Sequence, residues 1–226
     1  MNNDPHKDTP VRRFGKSPGE AAGAVILLHG RGGSADDILS LARELYLPEL
    51  AYLAPQAAGN SWYPNSFLAP VAQNEPWLAS ALRKVKTTLQ IAIDAAISAD
   101  RIVIAGFSQG ACLATEFVAG NPRRYAGLIA FTGGLIGPPD ADLAHKGDLA
   151  GTPAFLGSGD PDPHVPWQRV EQSARILAGM GAAVTSRRYT NRPHTISSEE
   201  IDIAKNLIND AYGKKAGHSG ARAAIK

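Results

Sequence analysis

The segment Arg101-Ile102-Val103-Ile104-Ala105-Gly106-Phe107-Ser108-Gln109-Gly110-Ala111-Cys112 begins as a β-branched apolar run. It breaks at a glycine, shows one serine between two glycines, and becomes Ala/Cys/Leu-rich with helical spacing. These are the marks of a strand, a sharp turn and a helix. Gly106-Phe107-Ser108-Gln109-Gly110 fits G-x-S-x-G, a turn so tight that its flanking positions must lack side chains, with the serine held strained at the tip. Ser108 Oγ is therefore expected above the strand ends. There the first N–H groups of the next helix and their partial positive charge would meet an oxyanion. The pentapeptide alone is common; the strand before it and the helix after it supply the context it requires.

On the N-terminal side, an apolar run at 24–28 reads as a strand, followed by the glycine-rich loop His29-Gly30-Arg31-Gly32-Gly33 and a helix at 35–46 capped by Ser34. A strand at 50–55 leads into about twenty aperiodic residues, 56–76, which contain Trp62, Tyr63 and Phe67 and are followed by Trp77. Long aperiodic loops in compact domains are commonly functional, so these four aromatics are expected to side a substrate pocket. An amphipathic helix at 78–97 then returns the chain to the serine strand. Beyond Ser108 the pattern predicts a helix at 109–119, a strand at 125–131, a Gly/Pro/Asp-rich loop at 132–152 with a solvated His145, and a strand at 153–157. A helix ending near 180, a strand at 183–189 and a closing helix at 198–211 complete the chain. The alternation implies a parallel sheet with helices on both faces.

Open parallel sheets build their sites beyond the carboxyl ends of the strands. Ser108, the acids of Ser158-Gly159-Asp160-Pro161-Asp162-Pro163-His164-Val165-Pro166, and His194 of Asn191-Arg192-Pro193-His194 all fall there. Hydrolysis through a serine needs a base to take its proton and an acid to orient that base. Asp160 and Asp162 compete for the acid, and His164 and His194 for the base. The loop at 29–33 lacks the Lys-Ser/Thr of a P-loop and the G-x-G-x-x-G of a dinucleotide site, so its expected use is to turn a main-chain N–H toward the serine. His29 is read as a brace for that loop.

At 226 residues with 44% hydrophobic and 19% charged residues, the chain suits one α/β domain. Three segments are expected: a flexible arm over 1–22 with a short edge strand near 11–14, the domain over 23–212, and a basic disordered tail over 213–226. The net charge of +2 includes Lys214, Lys215, Arg222 and Lys226; without these four charges the body stands at −2, which argues against nucleic-acid binding. No apolar run suits a membrane span or a signal peptide, and the single Cys112 excludes an internal disulfide, so a cytoplasmic protein is expected. No His/Cys/Asp cluster has metal spacing, and neither a metal nor another cofactor is expected. Nothing in the pattern excludes a homodimer.

The stretches Leu28-His29-Gly30-Arg31-Gly32-Gly33, Ala54-Pro55-Gln56, Ser61-Trp62-Tyr63, Gly106-Phe107-Ser108-Gln109-Gly110-Ala111, Gly159-Asp160-Pro161-Asp162-Pro163-His164-Val165-Pro166 and His194 together resemble the carboxylesterase/phospholipase family, which includes acyl-protein thioesterases. The resemblance implies an α/β-hydrolase fold, a mostly parallel doubly wound sheet without a large lid domain. It also implies Ser108 as nucleophile, His194 as base and Asp162 as acid, because the family's acid stands three residues before the Val-Pro pair. Arg31 and Gln109 would supply oxyanion N–H groups through the main chain. Arg31 itself differs from the leucine usual in thioesterase relatives. The expected activity is hydrolysis of soluble short- to medium-chain carboxylic esters in an open aromatic-sided cleft, with Arg31 at its mouth favouring anionic groups. Thioester or lysophospholipid hydrolysis is the alternative within the family, and a small-molecule-binding homologue that has lost turnover is the alternative outside it.

Overall fold

In the computed structural model, which describes residues 4–212, seven strands form one sheet. They are β1 (Val11–Gly15), β2 (Gly23–Leu28), β3 (Leu50–Pro55), β4 (Ile102–Phe107), β5 (Gly127–Phe131), β6 (Pro153–Asp160) and β7 (Ala183–Thr190). The spatial order is β1-β3-β2-β4-β5-β6-β7, with β1 antiparallel and every other pairing parallel. The serine strand β4 thus lies at the centre.

Strands β2, β3, β4 and β5 are apolar on both sides, as a sheet covered on both faces requires. Alternate residues feed two cores. Ile26, Leu28, Ile104 and Leu128 pack with α2 (Trp77–Asp94), α3 (Gln109–Gly120) and α4 (Trp167–Gly179). Val25, Leu27, Val103 and Ile129 pack with α1 (Ala35–Glu44) and α5 (Ser198–Tyr212). Between β5 and β6 the chain makes no helix, so nothing in that connection forms a large lid. Leu135, Ile136, Leu143 and Leu149 of this connection are buried instead. Arg169 on α4 holds it down by donating to the main-chain oxygens of Leu135, Gly137 and Pro138.

Some local readings differ from the structure. The edge strand expected near 11–14 is β1, which pairs along its five residues with β3. The rest of 4–22, read as a loose arm because of its Pro, Gly and charge content, is docked as well: His6 is fully buried between Trp62 and Trp77. The stretch 213–226, read as a disordered tail, lies outside the described residues. Helix α2 stops at Asp94, not at 97, because Ala96 takes a left-handed φ of 66° and the Ile97 N–H turns back to the Ala92 carbonyl. His145, read as solvated, sits 3.2 Å from Glu116, and that partner raises its pKa.

Candidate active site

The turn after β4 follows from steric exclusion. Ser108 has φ 55° and ψ −118°, a strained combination for a residue with a side chain. A Cβ on Gly106 would stand 2.4 Å from the Gly110 carbonyl, and one on Gly110 would stand 2.1 Å from the Leu28 oxygen. Both positions must therefore be glycine, and the serine between them is pushed out over the sheet edge. The Ser108 N–H is anchored to the Phe131 carbonyl at 2.9 Å, while its own carbonyl accepts from Cys112 N at 3.0 Å to start α3.

Above that edge the candidate side chains converge. His194 Nε2 lies 2.9 Å from Ser108 Oγ, and His194 Nδ1 lies 2.8 Å from Asp162 Oδ2. The other oxygen, Asp162 Oδ1, accepts from the main-chain N–H groups of His164 at 2.9 Å and Val165 at 2.8 Å. Burial works against charge on Asp162, but these three bonds outweigh it and hold its carboxyl below the ordinary carboxylate value. An ionised Asp162 keeps the His194 proton on Nδ1 and leaves Nε2 free to accept from the serine. Of the competing residues, Asp160 forms an ion pair with Arg188, and His164 packs edge-on against His194 with ring centres 4.9 Å apart. Neither is hydrogen-bonded to Ser108, whose hydroxyl meets His194.

The glycine-rich loop lies beside the serine: a Cβ on Gly30 would be 3.5 Å from Ser108 Cβ. Gln109 is the first residue of α3, where N–H groups have no partner within the helix. Among the described residues, neither the Arg31 nor the Gln109 main-chain N–H has a hydrogen-bond partner. An oxyanion formed at Ser108 could receive both. The buried His29 accepts from Ala57 N–H through Nε2 and bonds the Gly30 carbonyl through Nδ1, which fits its reading as a brace.

The aromatic expectation is corrected in part. A cleft of about 590 Å³ opens over Ser108 and His194, with Tyr63, Phe67, Leu68 and Val165 on its walls. Trp62 and Trp77 lie outside it. The Trp62 indole is completely buried, donates to the His29 carbonyl at 2.9 Å and faces His6, while Trp77 opens α2 against the other side of His6. Both support the loop from below. Arg31 is exposed and lines the cleft, as expected. Its guanidinium is held by donating to Ser61 Oγ and to the carbonyls of Pro64 and Asn65, neutral acceptors that fix its position and leave its positive charge in place. Cys112 lines the cleft floor, but burial pushes its thiol up to about 12, which leaves it inert as a nucleophile. Among the described residues no three His, Cys, Asp or Glu side chains converge as a metal site requires.

Two supporting contacts were not foreseen from the sequence, although Ser197 or Ser198 was expected to cap the closing helix with Glu200 in its first turn. The Gln109 side chain accepts from Trp62 N–H at 2.9 Å and donates to the Tyr63 carbonyl at 2.8 Å, tying the cleft loop to the serine turn. In α5, six residues after His194, the fully buried Glu200 is ion-paired with Arg192 and accepts from the N–H and hydroxyl of Ser197. Arg192 also donates to Thr132 Oγ1 at 3.2 Å. The loop carrying His194 is thereby fastened at both ends. The signal was present as Ser197-x-x-Glu200, a capping box at the start of α5. Glu200→Ala should cost about 3 to 5 kcal/mol of stability, because it leaves Arg192 buried without its carboxylate. It should also lower kcat more than it raises KM, since the base loses its seat. Urea denaturation with steady-state kinetics checks both; an unchanged unfolding midpoint would show the pair to be idle.

A central parallel sheet with a serine on the tight turn after its middle strand, and no large lid, is the α/β-hydrolase fold. Residues 15–211 match the model of the phospholipase/carboxylesterase family, and the chain belongs to that family and is an ester hydrolase. A phospholipase/carboxylesterase from Dyadobacter fermentans of known crystal structure is 50% identical, with 89% of this chain and 96% of that one covered and a TM-score of 0.86. An acyl-protein thioesterase 1 of Neurospora crassa is 27% identical over 86% of this chain and 89% of its own. The Bacillus cereus carboxylesterase structure, at 22% identity and a TM-score of 0.71 over 94% of this chain and all of that one, shares the fold. Among the described residues no helix is long and apolar enough to cross a membrane.

Proposed function

We propose that this chain is a serine carboxylesterase for water-soluble esters of short to medium acyl chains, working through an acyl-enzyme. The observation that carries the reading is the hydrogen-bond chain from Ser108 through His194 to Asp162 at the base of an open cleft. Ser108 Oγ attacks the ester carbonyl carbon while its proton passes to His194 Nε2. The carbonyl oxygen, now negative, takes the Arg31 and Gln109 main-chain N–H groups. As the carbonyl re-forms, the bond to the leaving alcohol breaks and His194 hands that alcohol its proton. Water then attacks the acyl-serine with His194 again as base, releasing the acid and restoring Ser108.

The acyl chain lies along Tyr63, Phe67 and Leu68, where each buried methylene contributes at most about 0.8 kcal/mol and the gain ends where the cleft ends. Across p-nitrophenyl acetate to palmitate, kcat/KM should rise through the short chains and fall before palmitate, with no jump at the micellar transition. A rate that climbs all the way to palmitate, or jumps on aggregation, would sink the open-cleft reading. Thioesters follow the same steps, and the acyl-protein thioesterase name borne by the Neurospora crassa relative favours including an S-acyl substrate of matched chain length.

A further inference from the structure

A second cavity of about 420 Å³ adjoins the first. The two share Gly30, Arg31 and Phe107, so they meet beside Ser108. The floor of the second is apolar: Ile38 and Leu41 of α1, Phe107 of the serine turn, and Ile196, two residues beyond His194. Its acidic edge is Asp37, whose Oδ2 already accepts from Ser34, and the exposed Glu44. His29 at the inner end is buried, with its pKa lowered by that burial, and Arg31 lines the seam between the cavities with its guanidinium bonded to residues 61–65. Nothing in the proposed reaction uses this space.

We propose that this cavity is the leaving-group subsite of the esterase site, built for an apolar alcohol moiety without negative charge; the inference rests on the hydrolase reading above. Chemistry sets the direction. The leaving oxygen must take its proton from His194 Nε2, so the departing group starts at the His194 ring. Phe107 lies 5.2 Å from that ring and forms the shared wall, and Ile196 follows on the same loop. The acyl part is then left to the other cavity, whose walls of Tyr63, Phe67 and Val165 lie away from α1. The lining sets the two carboxylates of Asp37 and Glu44 against the single Arg31 cation, an excess of negative charge that disfavours an anionic leaving group.

Methyl, benzyl and 4-carboxybenzyl butyrate hold the acyl part constant and test the subsite. The wild-type protein should favour benzyl over methyl by about tenfold or more in kcat/KM, and should discriminate against 4-carboxybenzyl. Ile196→Trp, which fills the cavity, should cut the benzyl-to-methyl ratio by about tenfold, chiefly through KM. Ser40→Trp, an exposed position on the same rim that does not threaten folding, should move the ratio the same way. A ratio unchanged in both variants would overturn the proposal. So would a shift in preferred acyl length in place of alcohol preference, since the cavity would then hold the acyl chain. Loss of all Ser108-dependent turnover in the wild type would instead bring down the hydrolase reading itself.

Discussion

Ser108→Ala should lower kcat by roughly five to six orders of magnitude and abolish covalent labelling by a fluorophosphonate, while the protein still folds. The size follows from what the substitution leaves behind. His194 and Asp162 retain their bond, but no oxygen remains to receive the acyl group. The main-chain N–H groups at Arg31 and Gln109 can still polarise a carbonyl for attack by water, which accounts for a residual rate above the uncatalysed one. The fold should tolerate the change, because alanine keeps the Cβ and the main-chain bonds from Ser108 N to Phe131 and from Cys112 N to the Ser108 carbonyl are untouched. Single-turnover kinetics and intact-mass labelling read the two outcomes separately. Near-wild-type turnover in the alanine variant would sink the mechanism.

The fold was legible where constraint is local. Apolar runs mark strands β2 to β5 because both faces of each are covered, and the two glycines at 106 and 110 announce a turn that any side chain would obstruct. The candidate groups were legible as types at sheet edges, but their pairing came only from the family resemblance, since whether Asp160 or Asp162 meets His194 depends on the path of a loop. Trp62 and Trp77 were misplaced for a related reason. Aromatic content reports that a loop buries area, not which way each ring faces, and His6, 56 residues away from Trp62, took the space between them. The edge strand near 11–14 was legible, whereas the buried His6 was hidden because partners so distant in sequence leave no periodicity. Arg31 shows a smaller gap: its place at the cleft was legible, but the carbonyls of residues 64 and 65 that fix its guanidinium were not.

Asp162→Asn should lower kcat by roughly four orders of magnitude. The two main-chain donors from His164 and Val165 point at Oδ1, so an asparagine must place its carbonyl oxygen there and turn its NH2 toward His194. Nδ1 would then have to accept, which moves the ring proton to Nε2 and aims an N–H at Ser108 Oγ. A base already protonated at that nitrogen cannot take the serine proton. Asp160→Asn breaks only the ion pair to the exposed Arg188, worth at most about 1 kcal/mol, and should leave kcat within about twofold. The reverse pattern would transfer the acid role to Asp160. Stability separates the two residues further. The Asp162 carboxyl is held below its ordinary value in the folded protein, so its charge contributes stability that is present above the ordinary carboxylate range and lost as pH falls through the depressed value. The difference in unfolding free energy between wild type and Asp162→Asn should therefore narrow as pH is lowered. Urea titrations at neutral pH and near pH 3 measure it, and a gap that stays constant between them would show that the Asp162 charge does not stabilise the fold.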